Sequence, residues 1–128
     1  MEVGPGELFD KLSISLLKSE RLNAEQVQEE LNELEDAFAQ TVRMHPSVSV
    51  QCKDLLDLLK VVNGFIWDLE SDIRKGKEGQ LGLEEVGRRA LMIRNLNSIR
   101  VWTKNLITRT TGRGYLEIKK DHASVVTV

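Results

Sequence analysis

From Val48 to Ile73 the residues Val48, Cys52, Leu55, Leu59, Val62, Ile66, Leu69 and Ile73 recur at alternating spacings of four and three, across 26 positions without a proline. A strand alternates at every second residue and cannot hold that pattern. A helix puts all eight positions on one face, as in the seam of a coiled-coil-like bundle. The spacing predicts a helix from a cap at Ser47 to about Arg74, with Leu55, Leu59, Val62, Ile66 and Leu69 buried. Such a helix is roughly 40 Å long, and only other long helices can cover its apolar face.

One position further on, Asn63, Trp67, Glu70 and Arg74 repeat the same spacings. This second stripe borders the first. Where helices cover both, an amide, an indole N–H, a carboxylate and a guanidinium come to the edge of a core and need partners there.

The rest of the chain supplies the covering elements. Gly6 to Leu22 sets Leu8, Leu12, Leu16 and Ser19 on one face with Phe9 and Leu17 beside it. Its first turn carries Glu7 and Asp10 and its last turn Lys18 and Arg21, the order that the helix dipole favours. Asn23 followed by Gln26 has the form of a capping box, and Val27, Leu31, Leu34, Phe38 and Val42 then predict a second helix through Arg43. No glycine or proline interrupts Leu22-Asn23, so one continuous helix also satisfies this pattern. The outer face of the second helix, with Glu25, Glu29, Glu30, Glu33, Glu35 and Asp36, is acidic. His45-Pro46-Ser47 breaks the helix, because proline disfavours helical backbone before it and Ser47 can cap the third helix.

Lys75 to Gly82 contains three glycines and reads as an exposed loop. Leu83 to about Thr108 predicts a fourth helix with a stripe of Val86, Ala90, Ile93, Leu96, Ile99, Trp102 and Leu106. It is rich in arginine, and is expected to lie against the acidic helices before it. The helical period is lost after that. Gly112-Arg113-Gly114 reads as a hinge, too short for a phosphate loop, and Tyr115 to Val128 as an extended or disordered arm.

With 128 residues, 41% hydrophobic and 30% charged, the chain can bury roughly two-thirds of its unfolded surface as one domain. A net charge of −2 argues against a dedicated nucleic-acid binder. One cysteine and two histidines exclude an internal disulfide and the usual Cys/His zinc sites, so a reducing, cytoplasmic setting fits best. Apolar runs are short, and neither a signal peptide nor a membrane span is expected.

Two blocks resemble a known family. Gly6-Glu7-Leu8-Phe9-Asp10-Lys11-Leu12-Ser13-Ile14 continuing to Lys18-Ser19-Glu20-Arg21-Leu22, and Val62-Asn63 with Ile66 to Arg74, resemble a domain of unknown function found in small bacterial and phage proteins. A third block, Arg94-Asn95-Leu96-Asn97 with Arg100 and Lys104-Asn105, is similar to that family's last helix. The resemblance spans residues 6 to about 107, and is poor from Asn23 to Lys60. It implies one small helical domain and carries over no catalytic residue.

Two constellations bear on chemistry. Glu30 and Glu33 on the second helix, with Glu70 and Asp72 on the third, have the acid-pair form with which all-helical nucleoside triphosphate pyrophosphohydrolases hold Mg²⁺, a hard ion that prefers oxygen ligands. The same pairs are more ordinarily the content of a solvated helix face, which is the reading favoured. The polar stripe is expected to meet Arg94, Asn97 and Arg100 on the fourth helix and Lys11 beside Glu7 and Asp10 on the first. It would then be a charge network fixing helix register, with Glu70 paired to Arg94, or a pocket for an anionic or sugar-like ligand with Trp67 as a stacking wall. His45 and His122 read as surface residues, and Cys52 as a packed, unreactive thiol.

The expectation is therefore an all-α, four-helix antiparallel bundle over residues 1–110 with a C-terminal arm over 111–128. Its candidate polar site comprises Lys11, Asn63, Trp67, Glu70, Arg74, Arg94, Asn97 and Arg100. The function expected is non-enzymatic binding or assembly without a cofactor, in a homo-oligomer, because the long helices present more apolar face than one chain can bury. The rival is the Mg²⁺-dependent enzyme.

Overall fold

The computed structural model describes residues 4–22, 25–75 and 81–112, and among them only helices occur. They are α1 (Pro5–Leu22), α2 (Glu25–Met44), α3 (Ser49–Lys75) and α4 (Leu83–Thr111), with a short 3₁₀ turn at Pro46–Val48. The arrangement is a helical bundle. No helix among the described residues is long and apolar enough to cross a membrane.

α1 lies against all three other helices, whereas α2 rests mainly on α1 and barely touches α3. Glu7 meets Lys104 and Asp10 meets Arg100, so α1 ascends as α4 descends. Asp10 meets Asn63 and Arg21 meets Asp68, so α1 runs in the same sense as α3. α3 and α4 form the most extensive pair.

The apolar core gathers Leu8, Phe9, Cys52, Leu59 and Ile107, with Leu34, Phe38 and Val42 of α2 packed on it. Phe9 and Phe38 meet edge to face with centroids 4.9 Å apart. Of the long repeat on α3, Cys52, Leu59, Val62 and Ile66 are buried as expected, whereas Leu55 and Leu69 are half-buried. Those two lie on the side of the stripe away from α1.

Three local expectations change. Pro46 opens the 3₁₀ turn and Ser47 sits inside it, so α3 begins at Ser49 with no side-chain cap at His45. His45 is half-buried, with Nδ1 3.0 Å from the Thr41 carbonyl. α4 runs on to Thr111, where Gly112 takes a left-handed conformation (φ 64°) and its N–H bonds the Arg109 carbonyl, a helix stop that glycine makes without strain.

The largest change concerns the faces of α4. Its expected stripe is not the buried one: Ala90 and Ile99 are exposed, and Trp102 and Leu106 only half-buried. The buried positions are Thr103, Lys104, Ile107, Thr108 and Thr111. Threonine is tolerated inside because the hydroxyls of Thr103, Thr108 and Thr111 each donate to the carbonyl four residues earlier, at 2.8, 3.2 and 3.0 Å. Their methyl groups then face the core. α1 comes very close here, since a Cβ built on Gly6 would stand 2.6 Å from the Lys104 carbonyl oxygen.

The acidic face of α2, from Glu25 to Asp36, is solvent-exposed as expected. α4 packs on α1 and α3 and not on that acidic face. The Asn23 cap, the central part of the Lys75–Gly82 loop, the C-terminal arm and His122 lie outside the described residues.

Candidate functional site

Where α1 crosses α3 and α4, one carboxylate is taken out of water. Asp10 is 1% exposed. Its Oδ1 accepts from Arg100 Nε at 2.9 Å and from Asn63 Nδ2 at 2.9 Å, and its Oδ2 accepts from Arg100 Nη2 at 2.5 Å. Asn63 Nδ2 also donates to Ser13 Oγ at 2.8 Å, and Ser13 in turn donates to the Asp10 carbonyl at 2.7 Å. The arrangement is a fork of guanidinium on carboxylate, closed by an amide, the geometry in which a buried charge is fully compensated.

The network forms the back of an open cleft of about 240 Å³. Ile14 and Leu17 of α1 supply an apolar wall, and Asn63, Trp67, Glu70 and Arg74 descend the α3 side, with Arg100 entering from α4. Arg21 lies over the Trp67 ring, 5.3 Å from its centroid, and donates to Asp68 at 2.7 Å, so it holds the indole from its far side. Gly64 leaves room for this, because a Cβ there would come within 3.3 Å of Arg21 Nη2.

The polar stripe expected on α3 is therefore brought together with Arg100 in one cleft. Lys11 and Arg94 are exposed and Asn97 is half-buried, and none of the three lines it. Glu70 is exposed and makes no bond to Arg94; the carboxylate that anchors the network is Asp10 and its guanidinium is Arg100. Asp10 carries a sequence signal only as a helix-dipole acid. Its neighbours Phe9 and Leu12 are core residues, the one hint in the sequence that it points inward.

The four acids of the metal reading stand apart. Glu30 and Glu33 are exposed on α2, Glu70 is exposed on α3, and Asp72 accepts from Arg89 at 2.5 Å. Among the described residues no three His, Cys, Asp or Glu side chains group as a metal site. Cys52 is buried in the core, and burial pushes its thiol pKa up, away from the reactive thiolate.

No family model, curated protein or solved structure matches this chain.

Proposed function

We propose that the protein is a non-enzymatic binding protein whose α1/α3/α4 cleft takes a small anionic, sugar-like ligand, of which a phosphorylated monosaccharide is the simplest form. The observation that carries this reading is Arg74. Its guanidinium lines the cleft without an ion-pair partner among the described residues, one turn from Glu70, which also has none. A phosphate or carboxylate would take the guanidinium in bidentate fashion, ring hydroxyls would donate to Glu70, and the apolar face of the sugar would rest on Trp67. The volume is below the usual range for drug-sized ligands, which favours a single ring.

The reading is non-enzymatic because the one deeply buried acid among the described residues, Asp10, is held by Arg100 and Asn63 and serves to fix the wall. Kinship with that family of unknown function and a cytoplasmic setting belong to the same proposal; the resemblance blocks at residues 6–22 and 62–74 fall on α1 and α3, two of the helices that line the cleft.

The test is fluorescence of Trp67 in a Trp102→Phe background, titrated with glucose 6-phosphate and, separately, inorganic phosphate. A saturable change that Arg74→Ala abolishes is expected. No change with either probe up to about 10 mM, a binding free energy under roughly 3 kcal/mol, would overturn the reading.

A further inference from the structure

The Asp10 network leaves one of its own atoms unused. Asp10, gripped by the Arg100 fork, is a carboxylate and can only accept. Ser13 has one hydroxyl proton and donates it to the Asp10 carbonyl at 2.7 Å, so toward any other group its oxygen can only accept as well. Both need donors, and Asn63 supplies them: the two N–H groups of Nδ2 go to Asp10 Oδ1 at 2.9 Å and to Ser13 Oγ at 2.8 Å. This fixes how the amide is turned, because the opposite orientation would set its carbonyl against two acceptors. Oδ1 therefore points away from Asp10 and Ser13.

Asn63 is 6% exposed and lines the cleft. Its Oδ1 has no hydrogen-bond partner among the described residues, yet it is not sealed in, as the unpartnered Ser15 Oγ is. The oxygen opens onto the cleft as an acceptor held rigid at its back.

We infer that Asn63 Oδ1 selects the ligand, accepting a hydrogen bond from a hydroxyl at the end remote from the anionic group. This rests on the proposed anionic, sugar-like ligand and adds to it a required hydroxyl and a direction of entry. Arg74 stands about three turns beyond Asn63 on α3, about 16 Å along the axis, of which the long arginine side chain spans part. The ligand enters hydroxyl end first and leaves its phosphate at Arg74, with Trp67 and Glu70 between. The reverse orientation sets phosphate oxygens against the Asn63 carbonyl, acceptor on acceptor. Arg100 does not offset this, because its charge and its Nε and Nη2 are committed to Asp10. With both of its protons engaged, the amide cannot turn to offer a donor, so a ligand with an apolar group at that end leaves the acceptor unpaired.

The Trp67 titration in the Trp102→Phe background reads this selection. Glucose 6-phosphate is expected to bind about tenfold more tightly than inorganic phosphate. Among glucose 6-phosphates that each lack one ring hydroxyl, one should lose about tenfold. That loss should persist in Glu70→Ala, and should vanish in Asn63→Ala with the affinity for inorganic phosphate unchanged. Glu70 is exposed, so its variant decides the matter even where Asn63→Ala fails to fold. Deoxy sugars that all bind like the parent, or a loss that disappears in Glu70→Ala, overturn the role of Asn63 and leave the anion site standing. Phosphate affinity that falls in parallel in Asn63→Ala overturns it too, since the residue then only supports the wall. No response to glucose 6-phosphate or phosphate overturns the ligand reading itself, and this inference with it.

Discussion

Removing Arg100 should damage the protein more than removing the acid it binds. In Arg100→Ala, Asp10, 1% exposed in the intact fold, loses two charge-assisted donors, leaving one amide for its carboxylate. A broken buried ion pair costs about 3–5 kcal/mol, and the lower half of that range is expected because the cleft that Arg100 lines then admits water towards Asp10. In Asp10→Ala the stranded group is instead a guanidinium with 30% of its side chain exposed, which can turn to solvent, so about 2–3 kcal/mol is expected. Urea melts of both single variants and of the double variant measure the asymmetry and the coupling, which should exceed about 1.5 kcal/mol. Single variants that each lose under about 1 kcal/mol, or that add without coupling, would show that the fork contributes nothing to the fold, and the account of the site wall would fail with it.

Gly6→Ala should destabilise by about 1–2 kcal/mol: the helix-propensity gain of about 0.5–1 kcal/mol is outweighed by a methyl group driven against the Lys104 carbonyl, and thermal melts will show its sign. Ser15 Oγ is buried with no hydrogen-bond partner among the described residues, so Ser15→Ala should be neutral or stabilising by up to about 1–2 kcal/mol; a clear loss in the same melts would reveal a bond that the hydroxyl makes. Burial raises the Cys52 pKa above its ordinary 9.0, so the thiol stays protonated in the fold and ionises first in the unfolded chain. Its contribution is full below pH 9 and is lost as pH rises through the higher folded value, and a Cys52→Ala chain should show a shallower fall in stability on the alkaline side.

Helix number and the seam of α3 were legible because a four-three repeat admits one backbone geometry, and Leu59, Val62 and Ile66 had to face inward together. The faces of α4 were not legible. Hydrophobicity assigns Ile99, Trp102 and Leu106 to the core, but threonine closes its own hydrogen bond on the helix, so Thr103 and Thr108 can be buried without the pattern registering it. The site was half legible for a related reason. Asn63, Trp67, Glu70, Arg74 and Arg100 share a cleft as their spacing suggested, yet which acid goes inside depends on the angle at which α1 crosses α3. That angle is set by contacts between distant residues and leaves no mark in local periodicity.

The Asp10–Arg100 pair joins residues 90 positions apart, which gives the fold an order in time. At synthesis rates of about 5–20 residues per second, roughly 5–18 s pass between the emergence of the acid and that of its guanidinium. Asn63 arrives earlier, but an amide cannot compensate a buried carboxylate alone. Until α4 leaves the ribosome, the inner face of α1 is better served by water than by the core. α1, made before the other three helices, is therefore expected to be the last of the four to dock.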